Sequence, residues 1–268
     1  MKPAPLKVIN EIAFNFEFSI CTLVTKLIEY NEMINSFYRA GFRGEFCEFL
    51  YIDNISKNNF DGYKGLNIFL KSAKGRYIIL CHQDVLLDFD NIDVLRSRIN
   101  ELNSLDPNWA VLGNAGFEDF NSKAICISDP YGDFQRIGCF PMKCKSLDEN
   151  FLVIKSEANI AASHDLCGFH LYAADLCLNA NSLGWNSYVI DFHLLHKGAG
   201  TIDELFLKSK VEFIAKHSRN RTPYAIRTTC TMLIITSSNI FNYFLNRKIF
   251  YSIKKRLDSL SKTNRRCA

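Results

Sequence analysis

The stretch GLNIFLKSAKGRYIILCHQDV, residues 65–85, predicts a helix followed by a buried strand. In its first part apolar residues recur at i, i+3, i+4 and i+7, which is the spacing of one helix face. Gly75 interrupts this pattern, and RYIILC, residues 76–81, is an apolar run typical of a buried strand. The residues that follow the strand are polar: His82, Gln83 and Asp84.

The same order of strand and helix extends on both sides of this segment. Further strands are predicted at 18–25, 45–52 and 109–112, and further helices at 29–40 and 91–102. Such alternation is typical of a parallel sheet covered by helices, in which ligands bind beyond the carboxyl ends of the strands. Functional side chains are therefore expected directly after strands.

The second half of the sequence predicts a change from parallel to mixed architecture. Residues 123–138 have the pattern of a hairpin around the turn Asp129-Pro130-Tyr131-Gly132, and 139–154 contain further extended segments. A helix is expected over 169–183 and a last strand over 188–195. The predicted fold class is therefore α/β, a mixed sheet flanked by helices.

The composition is that of a globular chain. Of its 268 residues, 48% are hydrophobic and 22% charged, which excludes general disorder. We expect no membrane-spanning helix and no secretory signal, because no apolar run is long enough and the first residues carry charge. The ten cysteines form no C-x-x-C pair and are expected to be reduced thiols of a cytoplasmic protein.

Charge is divided unevenly along the chain. From residue 201 onward there are 14 Lys and Arg against 4 Asp and Glu, whereas the first 200 residues have 18 against 24. We predict an acidic body, 1–200, and a basic, helical C-terminal region, 201–268. Its helix at 203–217 precedes an aromatic and basic stretch at 240–257.

This stretch predicts either peripheral contact with the inner face of the cell membrane or a helical pair packed on the body. Nucleic acid is not expected as a partner, because no recognised reader motif accompanies the charge.

Carboxylate and imidazole groups at strand ends are the candidates for chemistry. Asp84 follows a buried strand and needs a cation or hydrogen-bond donors, and His196 follows the last strand. Together they would suit a divalent cation such as Mn²⁺. Each residue also has a structural explanation. Asp84 could cap the N-terminus of a helix, and His196 could be a hydrogen-bonded loop residue. Asp53, after the second strand, could bind a nucleoside or form a turn.

Four segments of the chain resemble glycosyltransferase family 2. In order they are FLYIDN, GLNIFLKSAKGRYIILCHQDV, FHLYAADLCLNANSLGW and HKGAG, and the resemblance covers 18–200. It is to a branch in which H-Q-D-V stands in place of the usual D-x-D motif. The resemblance implies the GT-A fold, in which a nucleotide-binding sheet is merged with an acceptor-binding half.

The resemblance also implies a nucleotide-sugar site. Asp53 matches an acidic residue that contacts the nucleobase, and Asn67 matches an asparagine beneath the sugar nucleotide. Asp84 matches the last Asp of D-x-D, while His82 stands where the first Asp is expected. Gln83, between them, is assigned to the same site.

A metal ion and a catalytic base follow from the same match. Asp84 and His196 would hold Mn²⁺ or Mg²⁺ against the donor diphosphate. Asp175 matches the general base of the family's E-D motif, although Ala174 replaces the preceding Glu. His170 and Tyr172 are expected to bind the acceptor.

The reaction implied is an inverting, metal-dependent hexosyl transfer. The donor would be a nucleotide-sugar, with a UDP-sugar favoured, and the acceptor a glycan or lipid-linked glycan in capsule or lipopolysaccharide synthesis. The alternative is a non-catalytic GT-A-like subunit or scaffold at the membrane, which the departures at His82 and Ala174 would favour.

Overall fold

The computed structural model describes residues 13–200, 204–219 and 223–247, and these form a mixed α/β fold. The strands are β1 (Phe16–Val24), β2 (Cys47–Asp53), β3 (Gly75–Cys81), β4 (Val85–Leu86), β5 (Trp109–Gly113), β6 (Ala115–Phe117), β7 (Lys123–Asp129), β8 (Gly132–Ile137), β9 (Met142–Cys144), β10 (Ser146–Leu147), β11 (Phe151–Lys155), β12 (Asn186–Val189), β13 (Leu194–His196), β14 (Tyr224–Arg227) and β15 (Met232–Ile235). The α-helices are α1 (Leu27–Arg39), α2 (Gly62–Ser72), α3 (Ile92–Leu105), α4 (Tyr172–Ser182), α5 (Glu204–His217) and α6 (Asn239–Leu245).

The main sheet has seven strands in the order β2-β1-β3-β11-β5-β12-β9. β1 is parallel to both β2 and β3, and β12 is parallel to β5. β11 is antiparallel to its neighbours β3 and β5, and β9 is antiparallel to β12. The predicted fold class, a mixed sheet flanked by helices, is therefore confirmed.

A second sheet has the order β10-β6-β7-β13-β4, with β8 paired to β7 as the predicted hairpin. The strand predicted at 188–195 is wrong in one respect, since it is two strands, β12 and β13, in different sheets. The buried residues Ile190, Phe192 and Leu194 continue the apolar pattern across the crossover, which explains why the sequence suggested one strand.

The core lies on both faces of the main sheet, because successive strand residues point to opposite sides. In β3, Ile78 and Leu80 pack on one face with residues of α2 and α4. Ile79 and Cys81 pack on the other face with residues of α1 and α3. Helices thus cover both faces of β3, and the polar residues 82–84 follow at its carboxyl end.

The C-terminal region shares the core of the body as far as it is described. Phe206 and Phe213 of α5 and Ile226 of β14 belong to the same buried cluster as residues of α4. The helix predicted at 203–217 is confirmed, whereas the β14–β15 hairpin was not predicted. Most of the aromatic stretch 240–257 lies outside the described residues, except for α6 and the two residues that follow it. None of the helices that the structure describes is long and apolar enough to cross a membrane.

Candidate metal centre and nucleotide site

Two imidazoles and a carboxylate meet at the carboxyl ends of β3 and β13. His82 and Asp84 follow β3, while β13 pairs with β4 so that His196 lies opposite Val85. One ligand atom from each of the three polar residues lies within 4.8 Å of the others. His196 Nε2 is 3.4 Å from Asp84 Oδ1, and the His82 and His196 rings are 5.5 Å apart. A short strand pairing thus brings together residues more than a hundred positions apart in sequence.

The charges in this cluster favour a bound cation. Burial raises the pKa of Asp84, but the hydrogen bond to His196 and the charges of His196 and His82 together outweigh it, so the pKa is lowered and the carboxylate is ionised. Burial and the neighbouring His196 lower the pKa of His82, which keeps this imidazole neutral. Burial alone would lower the pKa of His196, but Asp84 raises it. A metal therefore competes with a proton for His196, so that metal affinity falls as the pH is lowered.

Tyr172 fixes the orientation of His82. The Tyr172 hydroxyl donates to the carbonyl oxygen of Glu149 at 3.2 Å and lies 3.0 Å from His82 Nε2. With the phenol hydrogen used in this way, His82 Nε2 is the donor to Tyr172, and Nδ1 carries the lone pair for a metal. Such outer hydrogen bonds set the tautomer and direction of metal-binding histidines. Tyr172 thus contacts His82 of the candidate metal cluster, and its predicted role in binding the acceptor stays a prediction.

The donor set fits a divalent transition metal. Two imidazoles and one carboxylate with open positions form a set that softer cations prefer over Mg²⁺, which favours oxygen ligands. Of the two ions expected from the sequence, Mn²⁺ therefore suits these residues better. Gly198 packs against the Asp84 carboxylate, since a Cβ built at this position would collide with Asp84 Oδ2. The carboxylate occupies space that only a glycine leaves free.

We expect Gly198→Ala to weaken Mn²⁺ binding about 10–100-fold, since the methyl group would turn the Asp84 carboxylate away from the imidazoles. Gly44→Ala is a matched control, because a Cβ at Gly44 meets no atom within 4 Å. Isothermal titration with Mn²⁺ measures the effect, and equal affinities for the two variants would contradict it.

A cavity of about 340 Å³ opens beside the cluster. It is lined by His82, Gln83 and Asp84 together with residues of β1, α1 and α2 and with Phe169 and Tyr172. Its volume lies in the range of small-molecule sites, which is about 300–1,000 Å³. Apolar side chains of Leu66 and Phe69 line one part, and Lys26 and Glu29, which form an ion pair of 2.9 Å, line another. The cavity could therefore hold a ligand with a flat apolar group, and a negative charge on that ligand would need a cation at the cluster.

Gln83 supports the cavity wall. Its side-chain oxygen accepts hydrogen bonds from the backbone N–H groups of Thr25 and Lys26 at 2.8 and 2.9 Å, and its nitrogen donates to the Thr25 hydroxyl at 2.8 Å. The amide thus joins the end of β1 to the end of β3. The assignment of Gln83 to nucleotide binding stays a prediction, although its side chain is occupied by the protein.

Two other predicted nucleotide-binding residues do not line this cavity. Asp53 is exposed at the end of β2, where its Oδ1 accepts from the N–H of Ile55 in a tight turn. The amide of Asn67 exchanges two hydrogen bonds of 2.9 Å with the backbone of Ala162. Asp53 is thus a turn residue, and Asn67 links α2 to the segment around Ala162. The nucleotide-binding roles of both residues stay predictions.

Asp175, the predicted base, is fully buried in α4. Its oxygens accept from Ser163 N at 2.7 Å, Ser163 Oγ at 2.8 Å and Asn179 Nδ2 at 3.1 Å. His217 Nε2, from α5, lies 2.9 Å away. Asp175 is not among the residues that line the 340 Å³ cavity. Its role as base therefore stays a prediction, and this burial counts against it.

His170, predicted to bind the acceptor, packs edge-on against Phe206 at 5.2 Å.

Glu149 was missed in the sequence. Its Oε1 accepts from the backbone N–H of Leu171, which has a left-handed φ of 65° at the start of α4. Burial and the charge of Asp148 raise the pKa of Glu149 to about 8. Nothing in the local sequence DEN marks this residue, since its position depends on the packing of α4 against β10, the strand that ends just before it.

The raised pKa predicts a pH-dependent stability. Between about pH 4.3, the ordinary value for Glu, and about pH 8 the folded protein binds more protons at Glu149 than the unfolded chain does. The free energy of unfolding should therefore fall as the pH rises through this window, and Glu149→Gln should remove that part of the fall. Thermal unfolding in EDTA from pH 5 to 8 measures it. Glu45→Gln, at an exposed position, is the control, and parallel curves for wild type and Glu149→Gln would contradict the prediction.

Comparison with known proteins gives one clear relative. No protein-family model matches the chain. A protein of Fuscovulum blasticum named "ATP synthase subunits region ORF 6" is 39% identical over 225 residues, which covers 82% of this chain and 90% of that protein. The chain belongs to the ORF 6 family. The family name states no reaction, substrate or cofactor.

Solved structures resemble this ORF 6 family member in fold. The mannosyltransferase PcManGT from Pyrobaculum calidifontis, in complex with GDP-Man and Mn²⁺, has a TM-score of 0.50 at 13% identity and covers 82% of this chain and 69% of its own. TarS 1-349 from S. aureus, in complex with UDP-GlcNAc, has a TM-score of 0.52 at 12% identity and covers 75% of this chain and 66% of its own. At these identities the likeness shows a shared GT-A-like fold.

Proposed function

We propose that the protein is a metal-dependent glycosyltransferase that takes its sugar from a nucleotide-sugar. The observation that carries this proposal is the cluster of His82, Asp84 and His196 beside a cavity at the carboxyl ends of the strands. In open α/β sheets this is the edge where ligands bind. Support comes from two proteins of similar fold, one in complex with GDP-Man and Mn²⁺ and the other with UDP-GlcNAc.

The residues of the cavity suit a nucleotide diphosphate. The cluster would hold the cation next to the diphosphate, and this cation would supply the positive charge, because Lys26 on the cavity wall is paired with Glu29. Leu23 and Phe169, which line the cavity and are less buried than Leu66 and Phe69, would offer an apolar surface to a base or ribose. We propose a UDP-sugar as donor and Mn²⁺ as the ion.

The transfer itself needs charge stabilisation and a proton acceptor. A bound divalent cation would supply Lewis-acid stabilisation of the leaving diphosphate. His82, Asp84 and His196 would hold it, with Tyr172 keeping His82 in place. An acceptor hydroxyl that attacks from the opposite face inverts the anomeric centre, and a carboxylate takes its proton.

Two carboxylates compete for the role of base. Asp175 is proposed from the resemblance to family 2, but its oxygens are occupied by Ser163, Asn179 and His217. Glu149 is proposed from its position, because it accepts from the N–H of Leu171, next to Tyr172 in the cavity wall, although like Asp175 it does not line the cavity itself. With a pKa of about 8 it is mostly protonated at neutral pH and would act as a base above about pH 8.

The acceptor is proposed to be a glycan or lipid-linked glycan in capsule or lipopolysaccharide synthesis, at the cytoplasmic face of the membrane. This part of the proposal rests on the resemblance to family 2 and on the basic C-terminal region. We also propose the division into a transferase domain, 1–200, and a C-terminal region, 201–268, on the same grounds.

A donor panel tests the proposal. Thermal unfolding is followed with UDP-, GDP-, CMP- and dTDP-sugars, with and without Mn²⁺. A ligand at 100 times its Kd stabilises the folded state by about 2.7 kcal/mol, so one donor class should raise the midpoint only when Mn²⁺ is present. Folded protein that responds to none of these donors would contradict the proposed function.

A non-catalytic subunit is the second candidate. The burial of Asp175 and the absence of a Glu at Ala174 favour it, because both remove features expected of the family's base. Mn²⁺-dependent binding of a donor without transfer or hydrolysis would support this candidate over the enzyme.

A further inference from the structure

Helix α6 has its polar side toward the protein and its apolar side toward solvent. Asn242 is buried, with 5% of its surface exposed. The large apolar residues of the same helix are exposed by 70, 63, 58 and 53%: Ile240, Phe241, Tyr243 and Phe244. We name these four residues the α6 apolar face. A helix at the surface of a soluble body normally has the reverse arrangement, with its apolar side packed on the core.

Two asparagines hold α6 in this orientation. Asn242 Oδ1 accepts from the N–H of Thr236 at 2.7 Å, and its Nδ2 donates to the Thr236 carbonyl at 2.9 Å. Asn246 makes the same pair of bonds with Ile234 of β15, at 2.9 and 2.7 Å. Each side chain thus pairs with the backbone as a neighbouring strand would. The helix cannot turn its apolar face inward without breaking all four bonds.

The sequence that follows α6 indicates what covers the face. Residues 247–268 contain eight Lys and Arg and one Asp, which gives a dense positive charge. Basic segments are attracted to anionic lipid head groups, and aromatic rings with an apolar body prefer the membrane–water interface. A second copy of the chain is a poorer partner, because its equally basic segment would be brought against this one.

We infer that the α6 apolar face docks on an anionic membrane surface, with its rings at the level of the head groups. The inference deepens the proposed function by naming the partner of the C-terminal region. Lipid binding tests this inference, and donor binding tests the proposed function. Because the two are measured separately, failure of the inference is distinguishable from failure of the proposed function.

The test uses the full chain and the double variant Phe241→Ser/Phe244→Ser. Co-sedimentation is measured with vesicles of phosphatidylglycerol and phosphatidylcholine in equal parts, and with phosphatidylcholine alone. We expect binding to the anionic vesicles and at least about a tenfold lower partition coefficient for the variant, since two apolar side chains no longer leave water. Leu105→Ser/Leu183→Ser is the control, because these leucines are 63 and 61% exposed on the body.

A reporter distinguishes insertion of α6 from attraction of the basic segment alone. The fluorescence of the tryptophan introduced by Phe241→Trp should be quenched by lipids that are brominated on their acyl chains. If the helix were held above the head groups, this fluorescence would not be quenched. Unchanged vesicle binding in the double variant would overturn the inference. So would a concentration-dependent dimer that the double variant loses, without vesicle binding by the wild type.

Discussion

Asp84→Asn should abolish Mn²⁺-dependent donor binding. The substitution keeps the shape of the side chain but removes the charge that faces His82 and His196. Loss of an outer hydrogen bond alone weakens metal sites about 10–100-fold, so loss of the only carboxylate in this cluster should exceed about 100-fold. Mn²⁺ titration gives the affinity, and donor titration with and without EDTA shows whether the metal still matters.

The stability of the Asp84→Asn variant shows whether donor binding is lost with the metal or through misfolding. Asp84 is partly exposed at the sheet edge, so the variant should keep the wild-type fold in EDTA. Asp133→Asn, at an exposed carboxylate on β8, is the control and should bind Mn²⁺ and donor as the wild type does. Donor binding that is tight and insensitive to EDTA in Asp84→Asn would exclude the proposed metal role.

Asp175→Asn should lower the stability of the protein substantially. The carboxylate accepts from two groups of Ser163 and from Asn179 and faces His217, and an amide in its place would put an NH₂ group against some of these donors. Buried donors left without partners cost about 1–3 kcal/mol each, so a loss on the order of 3 kcal/mol is expected. Urea unfolding measures it.

The same variant decides between a structural and a catalytic role. A base accessible to the acceptor would give unchanged stability and a turnover lower by at least about 100-fold. His217→Gln is the companion variant, because it disturbs the network but keeps the Asp175 carboxylate. Loss of stability in both variants, with turnover retained by His217→Gln, supports the structural role. Loss of turnover in Asp175→Asn alone, at wild-type stability, would contradict it.

The sequence predicted the end of β3 well, because this strand is a single apolar run bounded by Gly75 and by polar residues, whereas the continuous apolar pattern at 188–195 hid the break between β12 and β13. The fold class, the confirmed helices and the position of Asp84 follow from that periodicity. The strand-end positions of Asp84 and His196 predicted that they could share a cation, and the resemblance to family 2 implied it, but the β4–β13 ladder that brings them together joins only two residues of each strand and leaves no pattern in the sequence.

Other features could not be predicted, because they depend on tertiary packing. Glu149 reaches the start of α4 only through the left-handed backbone at Leu171, and an apolar residue gives no sign of that conformation. The aromatic residues of α6 predicted a helix with one apolar side, but which side faces the protein is set by Asn242 and Asn246. Asp175 has the sequence context of a functional carboxylate, and its burial appears only when α5 packs on α4.

The contact between His217 and Asp175 also limits how the chain can recombine. His217 lies after the boundary proposed at residue 200 and supports a carboxylate before it. Phe206 and Phe213 from the same later segment complete the core around α4. A chimera that joins this body to the C-terminal region of another protein of similar fold would have to supply an equivalent donor and equivalent rings. The two parts are therefore expected to be inherited and exchanged as one unit, so that a change in the function of the C-terminal region would arise by substitutions within it and not by its replacement.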